Sequence, residues 1–302
     1  MMLKIIIEKP VITILIAISA LIGLQKVSAQ SSRPLGAQFY ENQYLSNPAF
    51  AGLDYGLNLN LNYRNQWKSV AGSPVTTSIS GDYRFESVGV GLNVYKDKAG
   101  LLGKTQIKGT YAYHLPLYGD HRDLHFGVSL GIMQQNLDDP NIIAESGDVL
   151  VDQFNQRKSY VDGDFGIVYT TERLTLQAAM PNLGELFFHK NEQNTINGYV
   201  YFAAMSYKIG TNLDVLSIEP KISLRGAKGI DNILDIGSNL KLKNDMLSFM
   251  AMYHSDKSAT LGLGVNYDKF FIQFFYTSQQ TNGGQNFGGD FEINLKINLL
   301  GY

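Results

Sequence analysis

From Tyr55 to Arg64 the chain alternates strictly. Tyr55, Leu57, Leu59, Leu61 and Tyr63 fall on one side, and Gly56, Asn58, Asn60, Asn62 and Arg64 on the other. A period of two predicts an extended strand with one apolar and one polar face. The pattern returns at 75–85, 88–95, 105–115, 124–132, 161–169, 174–180, 199–209, 216–224, 234–242, 247–253, 259–267, 270–276 and 287–299. The last is the clearest, with Phe291, Ile293, Leu295, Ile297 and Leu299 set against Asp290, Glu292, Asn294, Lys296 and Asn298. Pro220 lies within the ninth segment and predicts a bulge or a strand end there, because proline removes a ladder hydrogen bond.

A single alternating strand suits a soluble sandwich as well as a membrane barrel. The repetition favours an all-β, transmembrane antiparallel outer-membrane β-barrel of about 14 strands, whose apolar faces meet lipid and whose polar faces line a lumen. Such a sheet must close, because hydrocarbon offers no partner to an open edge. Connection lengths agree, being mostly brief at one end and longer at the other, notably 65–74, 96–103, 134–160, 181–198 and 278–287. Short periplasmic turns and longer extracellular loops place both termini on the periplasmic side. Tyr and Phe near strand ends, such as Tyr63, Phe85, Tyr113 and Tyr276, suit the interfacial girdles.

The N-terminus changes the domain picture. Lys4 and Lys9 precede an apolar run from Val11 to Leu24, and Val27 and Ala29 suit a cleavage site, so residues 1–29 are read as a secretion signal. That leaves a pre-barrel segment at 30–52 and the barrel at 53–302. Removing the signal leaves 22 basic and 26 acidic residues, a balance that does not indicate a nucleic-acid partner. The chain has no Cys, which excludes disulfides and thiolate metal sites.

No catalytic, cofactor-binding or metal constellation emerges. His114, His121 and His125 are close in sequence but fall on two strands and a turn, and His189 and His254 stand alone. Gly89-Val90-Gly91 and Gly262-Leu263-Gly264 place glycine on inward faces, where they could leave room for a plug or for neighbouring lumen side chains, relief of crowding in a curved sheet being the favoured role. Asp138, Asp139, Glu145, Asp148 and Asp152 lie in the interval 134–160 without the spacing of a calcium loop, so a solvated outer loop is expected. Residues 38–52 hold two turn signals, Asn47-Pro48 and Ala51-Gly52, and several aromatics. They are expected to pack, either inside the barrel or on a periplasmic partner.

The stretch Asn47-Pro48-Ala49-Phe50-Ala51-Gly52, then Tyr63-Arg64-Asn65-Gln66-Trp67, Gly72-Ser73-Pro74 running into Ser78 to Asp82, and later Pro181-Asn182-Leu183, together resemble the PorP/SprF family of type IX secretion system outer-membrane proteins of the Bacteroidetes. The likeness covers essentially the whole chain after the signal. It departs mildly at Tyr40 to Leu45, where the family resembles Ser-Gln-Tyr-Met, and at Phe50, which replaces a tyrosine. The terminal Tyr302 looks like a barrel-assembly signal.

The resemblance implies a non-enzymatic secretion component of the outer membrane, without cofactor. It supports secretion or surface attachment of particular C-terminally tagged cargo such as gliding adhesins. Implied partners are the C-terminal signal domain of a secreted adhesin, a peptidoglycan-binding periplasmic lipoprotein and outer-membrane lipid. The alternative is a porin or hydrophobic-solute transporter. Tyr40, Tyr44, Asn47, Pro48 and Phe50 are candidates for plugging the mouth or touching a partner. Arg64, Gln66 and Trp67 are candidates for ordering the first loop or meeting cargo, with an interfacial anchor the competing reading for Trp67.

Overall fold

Alternating side chains commit each segment to one register, because a slip of one residue would turn its apolar row into the lumen. The computed structural model describes residues 36–67, 72–117, 121–137, 159–183, 200–210, 215–227, 230–242, 246–278 and 288–299. The expected signal at 1–29, the acidic stretch from Asp138 to Lys158, His189 and Leu300 to Tyr302 lie outside the described residues.

The strands are β1 Leu57–Asn65, β2 Val75–Phe85, β3 Val88–Ala99, β4 Leu102–Pro116, β5 Asp123–Leu137, β6 Tyr160–Thr170, β7 Leu174–Met180, β8 Val200–Tyr207, β9 Ile209–Gly210, β10 Val215–Ala227, β11 Ile230–Leu242, β12 Leu247–His254, β13 Ala259–Tyr267, β14 Phe270–Thr277 and β15 Asp290–Leu299. Neighbours in sequence pair antiparallel around the sheet. It closes where β1 meets β15, with Leu57 opposite Leu299 and Asn65 opposite Phe291. Both β8 and the two-residue β9 pair with β10, so they form one broken strand and the wall has 14 strands.

Pro220 accounts for the break, and the expectation about it needs correction. Its own strand continues, with Pro220 in register opposite Ser238; the irregularities of β10 fall instead at Val215/Ser217 and Arg225/Ala227. The ladder to β8 ends at Lys221↔Ser206 and resumes at Ile218↔Ile209, which brackets Pro220. A missing N–H interrupts the neighbouring strand rather than the one that carries the proline.

The two ends of the barrel differ. The end where β1 begins and β15 finishes has the tight turns Glu86-Ser87 and Asp268-Lys269; we call it the turn end, and the other the loop end. One expected loop, 96–103, is instead a two-residue turn at Gly100-Leu101, because β3 and β4 continue to Ala99 and from Leu102 with Lys98 opposite Gly103.

Burial is inverted relative to a soluble domain. Leu130, Val161 and Leu261 are 64%, 61% and 60% exposed on the outer surface, whereas Asn60, Lys108, Lys221, Asp235 and Glu292 are buried inside. Apolar groups facing outward and hydrogen-bonded polar groups facing inward are what a hydrocarbon surround selects.

Candidate functional site

The lumen is occupied by the chain itself. Residues 36–53 run its length, from the loop end at Gly36 to the turn end at Leu53, before the chain enters β1. At the loop end Glu292 of β15 accepts from the Ala37 N–H at 2.7 Å, from Gln38 Nε2 at 2.7 Å and from Asn62 Nδ2 at 2.6 Å. Next, Phe39 stacks on the His254 ring with centroids 5.7 Å apart and lies near the Arg225 guanidinium. Ala37, Phe39 and Tyr40 pack on Met250 and Met252 of β12 and Phe275 of β14.

Lower in the lumen, Lys221 Nζ donates to the Phe39 carbonyl and to Gln43 Oε1, and sits 4.8 Å over the Tyr40 ring. Tyr40 Oη donates to the Glu219 carbonyl at 3.1 Å. Gln43–Leu45 and Pro48–Phe50 form two short 3-10 turns. The second is set up by its sequence: the Asn47 side chain accepts from the Ala49 N–H, and Pro48 occupies a first-turn position that needs no donor. The same Asn47 donates from Nδ2 to the carbonyls of Ile167 and Ala178 at 3.4 and 3.3 Å, tying the turn to the β6–β7 wall. Tyr44 Oη shares a 2.7 Å hydrogen bond with Thr110 Oγ1, which contacts Ser129 Oγ in turn.

What lets this turn lie against the wall is a row of small residues drawn from five strands. Gly89, Ala112, Gly127, Gly166 and Ala179 are successive register partners across β3, β4, β5, β6 and β7. They make a trough. A Cβ on Gly89 would stand 1.9 Å from the Ala51 carbonyl oxygen, one on Gly127 2.2 Å from the Ala49 nitrogen, and one on Gly166 1.9 Å from Asn47 Oδ1. Close approach of the segment, by backbone at Gly89 and Gly127 and by the Asn47 side chain at Gly166, therefore requires glycine at these three positions.

At the turn end, His114 Nε2 lies 3.1 Å from the Ala51 carbonyl, and its Nδ1 lies 2.8 Å from Nδ1 of His125. Asp82 accepts from the Gly52 N–H at 2.9 Å, and Arg84 donates to the Leu53 carbonyl. Lys296 Nζ is 3.0 Å from Asp54, and this cation holds the Asp54 carboxyl below its ordinary value.

The predicted residues thus fall into separate groups. Tyr40, Tyr44, Asn47, Pro48 and Phe50 are all buried in the lumen segment. Arg64 and Gln66 converge instead on Asp290 at the loop end, at 2.9 and 3.3 Å from its Oδ2. Trp67 joins neither group; it is half-buried with a positive φ of 53° at the edge of the first loop. Pro181-Asn182-Leu183 folds back onto β6, where the Asn182 N–H donates to Asp164 and the Leu183 N–H to the Gly163 carbonyl.

Sequence reasoning missed the wall residues that grip the segment: Glu292, Lys221, Asp82 and His114. Their signal was present, since each is a charged or imidazole side chain at an inward position of a strand. It also treated His254 as isolated. His254 Nδ1 is 2.6 Å from Asp235, its Nε2 is 2.8 Å from Thr260 Oγ1, and Arg225 grips Asp235 at 2.8 and 3.0 Å. These four side chains come from β10, β11, β12 and β13, which alternation cannot bring together in advance. Among the described residues no group of three or more His, Cys, Asp or Glu is arranged to hold a metal.

The family model described as type IX secretion system membrane protein PorP/SprF matches residues 28–297. No curated protein matches the chain as a sequence relative. Among solved structures the chain is similar to the Acinetobacter baumannii outer membrane protein Omp33, at 9% identity over 82% of this chain and 100% of that one, TM-score 0.49. It is also similar to the monoaromatic hydrocarbon channel CymD, at 12% identity over 89% and 93%, TM-score 0.47. The Pseudomonas putida toluene transporter TodX matches at 10% identity over 85% and 92%, TM-score 0.47.

Proposed function

The chain belongs to the PorP/SprF family of type IX secretion system membrane proteins, and from that membership we propose that it is a non-enzymatic docking scaffold of the outer membrane. In this reading it supports secretion or surface attachment of specific C-terminally tagged cargo, gliding adhesins among them. The loop-end rim around Arg64, Gln66 and Trp67 receives the cargo's C-terminal signal domain. The turn end faces the periplasm and a peptidoglycan-binding lipoprotein of the same system.

One observation carries the preference for a scaffold over a porin or solute transporter. Residues 36–53 are fastened to the wall at successive levels of the lumen, through Glu292, Lys221, Thr110, His114 and Asp82. A diffusion pore works through a continuous aqueous route, and 14-strand barrels offer little room beside a buried strap of aromatic residues.

Deleting the gene in its host should abolish surface display of one or a few C-terminally tagged proteins while leaving outer-membrane permeability unchanged. Normal display of every such protein would sink the proposal. Purification from the native membrane should bring down both the cargo domain and the periplasmic lipoprotein. Steady ion conduction by the purified barrel in a planar bilayer would favour the porin reading instead.

A further inference from the structure

The direction of the lumen segment carries a consequence for where the chain's N-terminal end lies. β1 starts at the turn end with Leu57, yet Gly36 lies beside the carboxylate of Glu292, two residues from the loop-end start of β15. Between them, each contact is displaced further along the barrel. Leu53 and Gly52 meet Arg84 and Asp82 near the turn-end finish of β2. Asn47 reaches Ile167 and Ala178, and Tyr44 reaches Thr110 in the body of β4. Phe39 lies on His254, the loop-end residue of β12, and Ala37 bonds to Glu292. The segment therefore runs from the loop end down to the turn end, antiparallel to β1, and the chain doubles back on itself where it enters that strand.

We propose that the lumen segment opens to the cell exterior at the loop-end mouth, with Gly36 and Ala37 on the same face as the cargo-receiving loops. The proposal rests on the outer-membrane reading above, with the tight turns facing the periplasm. It revises the expectation that both termini are periplasmic: β1 begins and β15 ends at the turn end, but the lumen segment begins at the opposite mouth. Glu292 is the residue that sets the exit. Its two oxygens hold the Ala37 N–H and the Gln38 side chain while Asn62 orients it, which fixes the segment against the β1–β15 seam at the mouth.

Because the protein contains no cysteine, single cysteines report position without background. Ser32→Cys would be compared with Lys257→Cys in the loop-end turn after β12 and Lys269→Cys in the turn-end turn before β14. Intact cells are treated with a membrane-impermeant maleimide, and folding of each variant is verified by heat-dependent gel migration. Ser32→Cys should label in intact cells as fully as Lys257→Cys, while Lys269→Cys labels only after the outer membrane is opened. An epitope tag inserted after Gln30 and detected by antibody on intact cells gives a second readout that needs no substitution. If Ser32→Cys is protected alongside Lys269→Cys and the tag is silent, the proposal is overturned while the orientation stands. If the two controls exchange behaviour, the orientation itself is wrong and the proposal falls with it.

Discussion

Gly127 and Gly166 face one another across the β5–β6 ladder, and the turn formed by Asn47, Pro48 and Ala49 lies on both. Neither position has space for a Cβ, whereas Gly109 on β4 has nothing within 4 Å of the same atom. The difference turns a shared residue type into a controlled experiment. Gly127→Val should push the 3-10 turn off the wall, weaken the barrel and raise single-channel conductance in a planar bilayer. Gly109→Ala should do neither. Equal conductance of Gly127→Val and the wild-type protein would show that the segment is not what blocks the lumen.

The His114–Ala51 contact supports a second prediction. A carbonyl only accepts, so His114 donates from Nε2 and its Nδ1 is left to accept from Nδ1–H of His125, whose Nε2 takes the Thr170 hydroxyl proton. One proton on each ring satisfies every one of these contacts. His114→Leu leaves a buried carbonyl and a buried N–H without partners, at about 1–3 kcal/mol each. Denaturant unfolding of the barrel in detergent should register the loss, and His125→Leu should add less when made in the same chain, because it removes one of the orphaned groups.

Arg64 and Asp290 form a 2.9 Å ion pair whose side chains are 6% and 4% exposed, at the loop-end seam between β1 and β15. Removing one buried partner costs about 3–5 kcal/mol, whereas replacing both with well-packed apolar residues is often neutral. Arg64→Met alone should therefore destabilise strongly, and Arg64→Met with Asp290→Leu should recover most of the loss. A double variant as unstable as the two single losses combined would mean that the charges act independently.

Strand identity and register were legible because each strand shows both its faces in sequence. The lumen segment was legible only as a set of aromatics with a reason to pack. Its contacts are made with residues that lie far apart in the chain, such as Ala37 with Glu292 and Asn47 with Ala178. The small-residue trough is a row across five strands: alternation turns Gly89 inward, but only the register between strands lines it up with Ala112, Gly127, Gly166 and Ala179. Alternation also misleads in Phe270–Thr277, where aromatic residues occur on both faces: Phe275 turns inward to meet the Phe39 and Tyr40 cluster, a contact whose other half precedes the barrel.

At the turn end, a pH dependence follows from Asp54. Its carboxyl is held below the ordinary value by Lys296, so its contribution is fully present above the unfolded value and is lost as pH falls through the lower folded one. The Asp54 side chain is 60% exposed, which keeps the effect under about 1 kcal/mol. Asp54→Asn should slightly lower the midpoint of denaturant unfolding at neutral pH, and the gap from wild type should close in strong acid. A gap that widens on acidification contradicts the assignment.

Asp235, His254 and Thr260 are ordered like an acid, base and hydroxyl nucleophile, so a hydrolase reading can be put to the same kind of test. In a working triad the carboxylate is free to stabilise the imidazolium that forms during reaction. Here Arg225 already takes both oxygens of Asp235, and Thr260 Oγ1 is engaged by Thr277 at 2.8 Å. Phe39 covers the ring of His254. The arrangement serves as a rigid seat for the lumen segment. Wild-type protein should not react with a fluorophosphonate probe, and Phe39→Ala should lose about 3–5 kcal/mol of stability without becoming reactive. Labelling of Phe39→Ala that disappears in Phe39→Ala/Thr260→Val would establish Thr260 as a nucleophile and the segment as its cover.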